Sequence, residues 1–563
     1  MKTLTVFLCV VVCSILAATA AMAQISGGVA GNVYDPTKAI VAGAQVTLRD
    51  AQTAAARQMP TSTEGYFEFT QLRPATYELT VEAAGFRRVL ERNIVVNAGQ
   101  IAHVDVFLEL GNTSETVEVT AEIPLIEPER TAISRSVDIK MIMSLPMLAR
   151  QILNLALTVP GTIPGAPGTQ VVGFSVAGMR SQSNNYTLDG ISNNDPQVNG
   201  PLDAFRLTDA IQEFTVQTSI ASPDVGRNSG AQVSIITKSG GNSYHGSVFY
   251  YGRNDALDAN DFFLNRAGQP KNALSRHQFG GTAGGYIFKD KTFWFFSYEG
   301  FRENFQQPIT ARVPTDAERN AITDPVSLRV LNFYPKANTS FVGGINFTGT
   351  TVSTTNNDTY LWRIDQKLTN NHRLMGRYAW FRGFTDALQN GSGSGPFNGN
   401  ITNAPGQHSF VLAETWATSR FVNEAKVGYS RNRTFFAPTD VALNPAKIFT
   451  DAAGNPLPGF VDATKDSLDG GLPNITIAGI ASLGAGTNMP QGRATNTYEA
   501  IDNVSLVSPF GWSRHTLRFG AEYRHEITNR FLNGNYRGQI SFACLNAVDL
   551  RSADPNAQAP CSP

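Results

Sequence analysis

Residues 360–380 read YLWRIDQKLTNNHRLMGRYAW. Alternate side chains of the first half are apolar: Tyr360, Trp362, Ile364 and Leu368. The side chains between them are charged: Arg363, Asp365 and Lys367. After a short polar turn at 369–372, apolar Leu374, Tyr378 and Trp380 again oppose Arg373 and Arg377. This period of two predicts a β-hairpin with one face in lipid and the other in a water-filled lumen, as in the wall of a membrane-spanning β-barrel.

The same two-faced pattern recurs along residues 243–563, which we expect to form the N-terminal part of an antiparallel transmembrane β-barrel. Further strands are predicted at 244–252, 278–288, 292–302, 424–430 and 517–524. Long connections at 303–356 and 432–494 alternate with tight turns, an asymmetry typical of such barrels. The pattern predicts about nine or ten strands. A soluble β-solenoid or sandwich array is the alternative, and it would leave Trp and Phe facing water.

Composition argues against two classes of function. Lys and Arg total 45 against 46 Asp and Glu, so the chain lacks the basic excess that neutralises nucleic-acid phosphates. We therefore expect no nucleic-acid partner. The sequence has no Gly-x-Ser-x-Gly, Cys-x-x-Cys, phosphate-loop or His-Glu-x-x-His pattern, and its seven histidines are scattered. It therefore predicts no catalytic residue, no metal site, no cofactor and no enzyme activity.

The N-terminus has the three parts of a secretory signal peptide, predicted as residues 1–23. Lys2 precedes an apolar run over 4–18, and the small-residue motif Ala21-Met22-Ala23 precedes Gln24. We expect export through the Sec pathway and cleavage between Ala23 and Gln24. A transmembrane anchor is the alternative, although the apolar run is short for a span of about 20 residues.

Two of the four cysteines, Cys9 and Cys13, lie within the predicted signal peptide. The other two are Cys544 and Cys561. In an oxidising envelope compartment this pair could close one disulfide, and pairing with a cysteine beyond residue 563 is the alternative.

Short alternating runs separated by turn signals describe a small antiparallel β-sandwich over 24–110. Four motifs carry a resemblance: Gly43-Ala44-Gln45-Val46-Thr47-Leu48, Thr63-Glu64-Gly65-Tyr66-Phe67, Leu72-Arg73-Pro74 with Tyr77, and Ala84-Gly85-Phe86. They resemble the carboxypeptidase regulatory-like domain, a transthyretin-like fold classed among carbohydrate-binding-like folds. Ala75 departs from the Gly that this family usually has in the turn. The resemblance implies a non-catalytic accessory domain with carbohydrate as a candidate ligand.

A linker is predicted over 111–128. Its centre is Glu115-Thr116-Val117-Glu118-Val119-Thr120-Ala121. This segment resembles the TonB box, through which an inner-membrane complex pulls on a receptor, and it implies a TonB-type energy-transducing complex as a partner. Physically, an extended run of β-branched residues can add as an edge strand to a partner sheet. The alternative is a last strand of the preceding sandwich.

Residues 129–242 resemble the plug domain of Oar-like TonB-dependent receptors, which implies an α+β domain. The motifs that carry the resemblance are Leu145-Pro146-Met147-Leu148-Ala149-Arg150-Gln151, Thr158-Val159-Pro160-Gly161, Val176-Ala177-Gly178-Met179-Arg180, Asn185-Tyr186-Thr187-Leu188-Asp189-Gly190, Ile211-Gln212-Glu213-Phe214 and Gly230-Ala231-Gln232-Val233. Met147-Leu148-Ala149 departs from the Leu-Asn-Gly that family members more often show. Within this region a helix is predicted over 145–157, and a strand entering a turn over 186–190.

The resemblance as a whole implies a TonB-dependent receptor of a Gram-negative outer membrane, in contact with membrane lipid. It would import an unidentified extracellular ligand, with a carbohydrate or an oligomeric nutrient as candidates. The alternative is Oar-like surface adhesion or envelope organisation without transport. Receptors of this family close a barrel of about 22 strands, and an open sheet edge cannot stand in lipid. We therefore expect the chain to be an N-terminal fragment.

Overall fold

The computed structural model describes residues 27–542 except 112–115, 121–132, 146, 148–149, 166–172, 203–206, 220–227, 267, 269, 389–396, 398, 420, 461–469, 508–514, 533 and 535. Three parts follow one another along the chain, and we call them the sandwich (27–111 with 116–120), the middle domain (133–242) and the wall (the large sheet within 243–532). Among the helices that these residues form, none has the length and apolar character to cross a membrane.

The sandwich consists of β1 (Gly27–Tyr34), β2 (Gln45–Asp50), β3 (Ala56–Pro60), β4 (Tyr66–Leu72), β5 (Ala75–Glu82), β6 (Arg88–Val96), β7 (Ile101–His103), β8 (Val106–Phe107) and β9 (Thr116–Thr120). One sheet has the order β3-β2-β5-β6-β9, and in the other β1 lies between β4 and β7. Side chains alternate along β2, where Val46 and Leu48 are buried. They share one core with Val29, Phe67 and Phe69 of the other sheet, which confirms the predicted sandwich.

β9 occupies part of the segment that was predicted as a linker. It pairs in parallel with β6, with Thr116 beside Arg88 and Thr120 beside Arg92. Arg92 also forms an ion pair of 2.9 Å with Glu118. The structure thus places 116–120 in the sandwich sheet, which agrees with the alternative that this segment is a last strand of the sandwich. A run of β-branched residues fits the edge of a pleated sheet.

The middle domain consists of β10 (Ile133–Asp138), α1 (Ile139–Ser144), β11 (Thr162–Pro164), β12 (Phe174–Val176), β13 (Asn185–Leu188), β14 (Ile191–Ser192), β15 (Asn194–Asp195), β16 (Gly200–Pro201), β17 (Ile211–Ser219) and β18 (Gln232–Thr237), with 3-10 helices at Ile152–Thr158, Ser181–Ser183 and Thr208–Ala210. Its main sheet has the order β10-β17-β18-β13-β14. Tyr186, Phe214, Val216, Val233 and Ile235 lie in its core.

The helix predicted over 145–157 is wrong. α1 ends before that stretch begins, and among the residues of the stretch that the structure describes, the helix that forms is a 3-10 helix that starts at Ile152. Pro146 lacks an amide hydrogen and disfavours helical backbone at the residue before it. Arg150 has a φ of 49°, a left-handed conformation that does not occur inside an α-helix. The apolar periodicity instead reflects the buried side of the 3-10 helix.

The remaining elements are β19 (His245–Asn254), α2 (Phe262–Arg266), β20 (Leu274–Phe288), β21 (Thr292–Ala311), α3 (Asp316–Asn320), α4 (Pro325–Leu331), β22 (Phe347–Lys367), β23 (His372–Leu388), β24 (Gly399–Ala417), β25 (Phe421–Pro438), α5 (Pro445–Ile448), β26 (Asn474–Ile477), β27 (Ile480–Leu483), β28 (Gln491–Val507), β29 (Thr516–Leu532) and β30 (Gln539–Phe542), with a 3-10 helix at Asp255–Leu257. The wall is a nine-stranded sheet of order β19-β20-β21-β22-β23-β24-β25-β28-β29. Every neighbouring pair in it is antiparallel.

The wall has the two faces that the sequence predicted. Trp362 is 40% exposed and Ile364 is 51% exposed, whereas Arg363 between them is buried on the opposite face. Aromatic rings cover the exposed face across strands: Trp362 stacks on Tyr378 at 5.7 Å between ring centroids. Apolar side chains on one face and buried charges on the other require different surroundings on the two sides of the sheet.

The strands of the wall are longer than predicted. β21 runs to Ala311 and pairs there with Phe347, so the connection spans 312–346 instead of 303–356. The second long connection likewise shortens to 439–490, because β25 and β28 continue to pair up to Phe436 and Gln491. The extra segments lack the regular apolar alternation on which the prediction relied. They still pair, because backbone hydrogen bonds alone can continue a ladder.

The long connections fold into a common cap, which we define as 312–346, 439–460, 470–490 and 539–542. It contains a small sheet of order β27-β26-β30. One apolar core joins the connections: Val313, Val326, Val330, Leu331, Tyr334, Phe449, Leu472, Ile475, Ile477, Ile480 and Leu483. The cap lies at the end of the wall opposite to the tight turn at 368–371, because β21 and β22 leave the wall at that other end.

Candidate functional site

The middle domain meets the face of the wall that carries the buried charges through the hairpin of β13 and β14. Leu188 pairs with Ile191, which leaves Asp189-Gly190 as the turn. Asp189 has a φ of 50° and Gly190 a φ of 85°. Positive φ at both central positions is the backbone of a type I′ turn, for which Asp-Gly is a preferred sequence. The turn presents the Asp189 carboxylate to the wall.

The Asp189 carboxylate is buried and fully engaged. It accepts hydrogen bonds from the amide of Thr237 at 2.9 Å and from its hydroxyl at 3.0 Å. The Nε of Arg377 lies 3.0 Å from it. Asp189 is 2% exposed and Arg377 is 1% exposed. A charge pair so far from water depends on its partner, because losing either member leaves an uncompensated buried charge.

Arg377, on β23, holds the hairpin through more than this ion pair. Its Nη2 donates to the carbonyl of Leu188 at 3.0 Å. Its Nη1 donates to the carbonyl and the hydroxyl of Ser409 at 3.0 and 2.7 Å. The guanidinium therefore bridges the turn of the middle domain and two strands of the wall.

A second arginine of the wall supports the same carboxylate. Nη1 of Arg363, on β22, lies 3.5 Å from Asp189 and donates to the carbonyl of Thr237 at 2.9 Å. Its other nitrogens form a two-point contact with Asp365 at 2.8 and 2.9 Å. This two-point contact fixes the plane of the guanidinium, so the orientation of Arg363 does not depend on its contact with Asp189.

Further contacts fasten the rest of the hairpin region. Asp195 forms an ion pair with Arg493 of β28 and accepts a hydrogen bond from Asn432 of β25 at 3.2 Å. The amide of Ser192 donates to Glu499 of β28 at 2.8 Å. The middle domain is thus attached to β22 and β23 and also to β25 and β28 of the wall.

Close packing accompanies these polar contacts. A Cβ placed on Gly428 of β25 would lie 2.8 Å from the Cγ2 of Ile191 and 3.3 Å from its Cβ. Gly428 therefore leaves the space into which the hairpin fits, and a side chain there would displace Ile191.

Arg150 makes a further contact near the start of the wall. It forms an ion pair of 2.7 Å with Asp209 of the middle domain. Its guanidinium also lies over the rings of Phe249 and Tyr251 of β19, 4.6 Å from each centroid. Arg150 has a left-handed backbone inside the stretch that was predicted as a helix, and its side chain connects the middle domain to the wall.

The sandwich joins the same network at the tight-turn end of the wall. Arg73 forms an ion pair of 2.7 Å with Asp50 and lies 4.0 Å from Asp365. Burial alone would raise the pKa of Asp50, but Arg73 and backbone amide donors outweigh it and hold that pKa below its usual range. A line of alternating charges therefore runs through all three parts of the molecule: Asp50, Arg73, Asp365, Arg363, Asp189 and Arg377.

The sandwich also contacts the middle domain directly. The amide of Ala98, between β6 and β7, donates to both carboxylate oxygens of Glu213 at 2.9 and 3.0 Å. Ala98 also packs against Ile236. Glu213 belongs to one of the motifs on which the plug resemblance rests, and here it carries a contact between domains.

The other residues singled out from the sequence divide into two groups. Thr116, Val117, Glu118, Val119 and Thr120 form β9, at the edge of the sandwich sheet. Glu115, Ala121, the signal-peptide residues Ala21, Ala23 and Gln24, and the cysteines Cys544 and Cys561 lie outside the described residues. Their predicted roles stay predictions.

Sequence reasoning assigned Arg363, Arg377 and Asp365 to the lumen face but not to a partner. Arg377 and Asp189 are 188 positions apart, and no local pattern links them. The available signal was an Asp-Gly turn in a plug-like segment together with arginines on the lumen face of a strand. Within the described part of the chain, no group of three or more His, Cys, Asp or Glu side chains is arranged to hold a metal ion.

Two protein-family models match the chain. Residues 28–109 match the carboxypeptidase regulatory-like domain, within the range predicted for it. Residues 236–557 match the outer membrane beta barrel domain. The TonB-dependent transporter Oar of Myxococcus xanthus is 28% identical over 348 residues, which cover 58% of this chain and 31% of that protein. The chain thus spans about a third of the length of this relative.

Among solved structures, the chain is similar to the outer membrane transporter YddB from Escherichia coli, with a TM-score of 0.46 and 12% identity over 70% of this chain and 48% of that one. A mutant of the ferric enterobactin receptor PfeA from Pseudomonas aeruginosa gives a TM-score of 0.42 and 12% identity over 70% and 49% of the two chains. Since the barrel model matches 236–557 of 563 residues, more than half, the chain belongs to the outer membrane beta barrel domain family.

Proposed function

We propose that the protein containing this chain is a TonB-dependent outer-membrane transporter in which the middle domain is a plug held in the barrel lumen. The observation that carries the proposal is the buried contact of Asp189 with Arg377 and Arg363. Charged side chains on one face of the wall form ion pairs with charged side chains of the middle domain, which belongs to the same chain. Polar and ionic contacts suit a plug that has to be released, because they hold only while their geometry is kept.

Similarity to the TonB-dependent transporter Oar supports the proposal, and the order of the parts agrees with it. The segment around Thr116–Thr120 lies between the sandwich and the middle domain, where a pull on it would reach the plug. As the outer strand of the order β3-β2-β5-β6-β9, it has β6 on one side and a sheet edge on the other. A strand of a TonB-type partner could add at that edge, or replace β6, through backbone hydrogen bonds.

The position of the sandwich argues against the alternative of surface adhesion through this domain. Arg73 of the sandwich lies beside Asp365, near the tight-turn end of the wall. The long connections that form the cap leave from the opposite end. In outer-membrane barrels the long loops face outward, so the sandwich would lie on the periplasmic side, away from surface glycans.

A disulfide between hairpin and wall tests the proposal. In Ile191→Cys/Gly428→Cys the two Cβ atoms would lie close to the 3.5–4.5 Å that a disulfide requires, because a Cβ at 428 is 3.3 Å from that of Ile191. The complete gene would be returned to cells lacking it. Mass spectrometry of a defined medium would then identify the solutes whose depletion depends on the gene.

The oxidised double variant should stop this depletion, and a reductant should restore it. Each single cysteine variant is the matched control and should retain depletion. Full depletion with the disulfide formed would contradict a moving plug. Deleting 115–121 in the same cells tests the coupling segment separately: depletion should cease while surface binding of the same solutes persists.

A further inference from the structure

A cavity of about 170 Å³ lies where the sandwich, the middle domain and the wall meet. Arg57 and Arg73 line it from the sandwich, Asp189 from the middle domain, and Lys367 and Arg373 from the wall. A water molecule takes about 30 Å³ in the liquid, so the cavity has room for a small ion with some of its water.

The charges around this cavity are not evenly matched. Arg73 is paired with Asp50 at 2.7 Å, and Arg363, which also lines the cavity, is paired with Asp365 at 2.8 Å. Arg57 and Arg373, in contrast, have no carboxylate within ion-pair distance among the residues that the structure describes. Asp290 and Glu424 also line the cavity. Glu424 is paired with Lys426 at 2.8 Å, however, and Asp290 accepts a hydrogen bond from Asn242 at 2.7 Å. Two guanidiniums, one from the sandwich and one from the wall, therefore face the same space without an acid of their own.

The hydrogen-bond donors of Arg57 are only partly satisfied by neighbouring groups. One terminal nitrogen donates to the carbonyl of Thr70 at 2.7 Å, and the guanidinium lies 5.6 Å from the ring centroid of Phe69. Its Nε is buried and has no hydrogen-bond partner. Burial, and then the positive charge of Arg373, lower the pKa of Arg57 to about 10, so it stays charged at neutral pH. Like charges facing one cavity repel each other, and an anion between them would remove that repulsion.

We propose that this cavity binds a small oxyanion of the phosphate class between the guanidiniums of Arg57 and Arg373. Arginine presents planar pairs of N–H donors that match the oxygens of phosphate and form strong charge-assisted hydrogen bonds. Because Arg57 belongs to the sandwich and Arg373 to the wall, the bound anion fastens one to the other. The phosphate group can come from free phosphate or from a lipid headgroup at the rim of the wall.

Titration calorimetry of the full-length protein in detergent tests the site, with inorganic phosphate as the probe and chloride keeping the ionic strength constant. Binding should be saturable and should weaken at least about tenfold in Arg57→Gln and in Arg373→Gln, since each removes a charge-assisted contact. Arg373→Lys, which keeps the charge but loses the fork, should fall between. Arg88→Gln is the matched control, because Arg88 pairs with Glu82 on the sandwich surface, and it should bind like the wild type.

A second measurement keeps the test valid if Arg57→Gln misfolds. Phosphate should slow amide exchange in β3 and at the start of β23 in the wild type and in Arg88→Gln, but not in Arg373→Gln. Competition by a soluble short-chain phosphatidylglycerol would identify a headgroup phosphate as the source, and its failure to compete would identify free phosphate. Absence of saturable phosphate binding, or undiminished binding in Arg57→Gln/Arg373→Gln, would overturn the proposal.

Discussion

Replacing Arg377 by glutamine should release the hairpin of β13 and β14 from the wall. The substitution leaves Asp189 buried without its 3.0 Å partner and deprives the carbonyl of Leu188 of its donor. Arg363, at 3.5 Å, compensates only in part, because Asp365 already occupies its fork. Removing one member of a buried pair costs about 3–5 kcal/mol. With a urea dependence of about 2 kcal/mol per molar, the release should occur at roughly 2 M less urea.

The release can be followed with a cysteine at Ile191, which is buried in the native contact. Maleimide labelling at increasing urea would be compared between Ile191→Cys and Ile191→Cys/Arg377→Gln, with the parent protein as the background for its own cysteines. Arg88→Gln serves as the control, since an exposed ion pair contributes at most about 1 kcal/mol. If the urea concentrations at half-maximal labelling of Ile191→Cys and Ile191→Cys/Arg377→Gln agreed within about 0.3 M, the conclusion that Arg377 holds the hairpin against the wall would be refuted.

Three further predictions concern single side chains. Gly428→Val should weaken the hairpin contact by about 1–3 kcal/mol because its side chain meets Ile191. Amide exchange in β13 and β14 at increasing urea, with Ile191 kept, would show release at lower urea, whereas an unchanged midpoint would mean that the contact is loose. Asp50 has a folded pKa held below its unfolded value, so its stabilisation is present above the unfolded pKa and is lost as the pH falls through the folded one. After correction for the intrinsic exchange rate, the protection of the amides in β2 and β5 should therefore fall below about pH 4 in the wild type, and Asp50→Asn should lack this dependence. Burial raises the pKa of Tyr186 to about 12, so the stability linked to its protonated phenol is lost between about pH 10 and that value. Tyr186→Phe should reduce the loss of unfolding free energy over this pH range, and an undiminished loss would exclude a contribution from Tyr186.

Local patterns predicted a large share of the fold. Alternation along 360–368 correctly separated the exposed Trp362 and Ile364 from the buried Arg363, because successive side chains of a strand point to opposite faces whatever the strand pairs with. Asp189-Gly190 likewise specified its own turn through the positive φ that such sequences accept.

Predictions were wrong where a tertiary contact outweighed the local conformational preference of a segment. The apolar spacing over 145–157 suggested a helix, but the left-handed backbone of Arg150 is incompatible with one, and there Arg150 reaches Asp209 and the rings of β19. The segment 116–120 fits both an extended linker and a strand, and the available edge of β6 decides for the strand. The cap was expected as two separate long loops, because its apolar side chains come from connections far apart in the sequence and show no common period.

The sequence by itself determined the central parts of most wall strands, which of their faces are apolar, and the turn at Asp189-Gly190, since these follow from the geometry of a few consecutive residues. Only the tertiary structure decided which charges meet. Asp189 finds Arg377 across 188 positions, and Arg57 and Arg373 come to face one cavity from two domains. Such pairings depend on the register of the whole sheet and on how the domains dock. A one-residue shift in register would turn the same side chains to the opposite face.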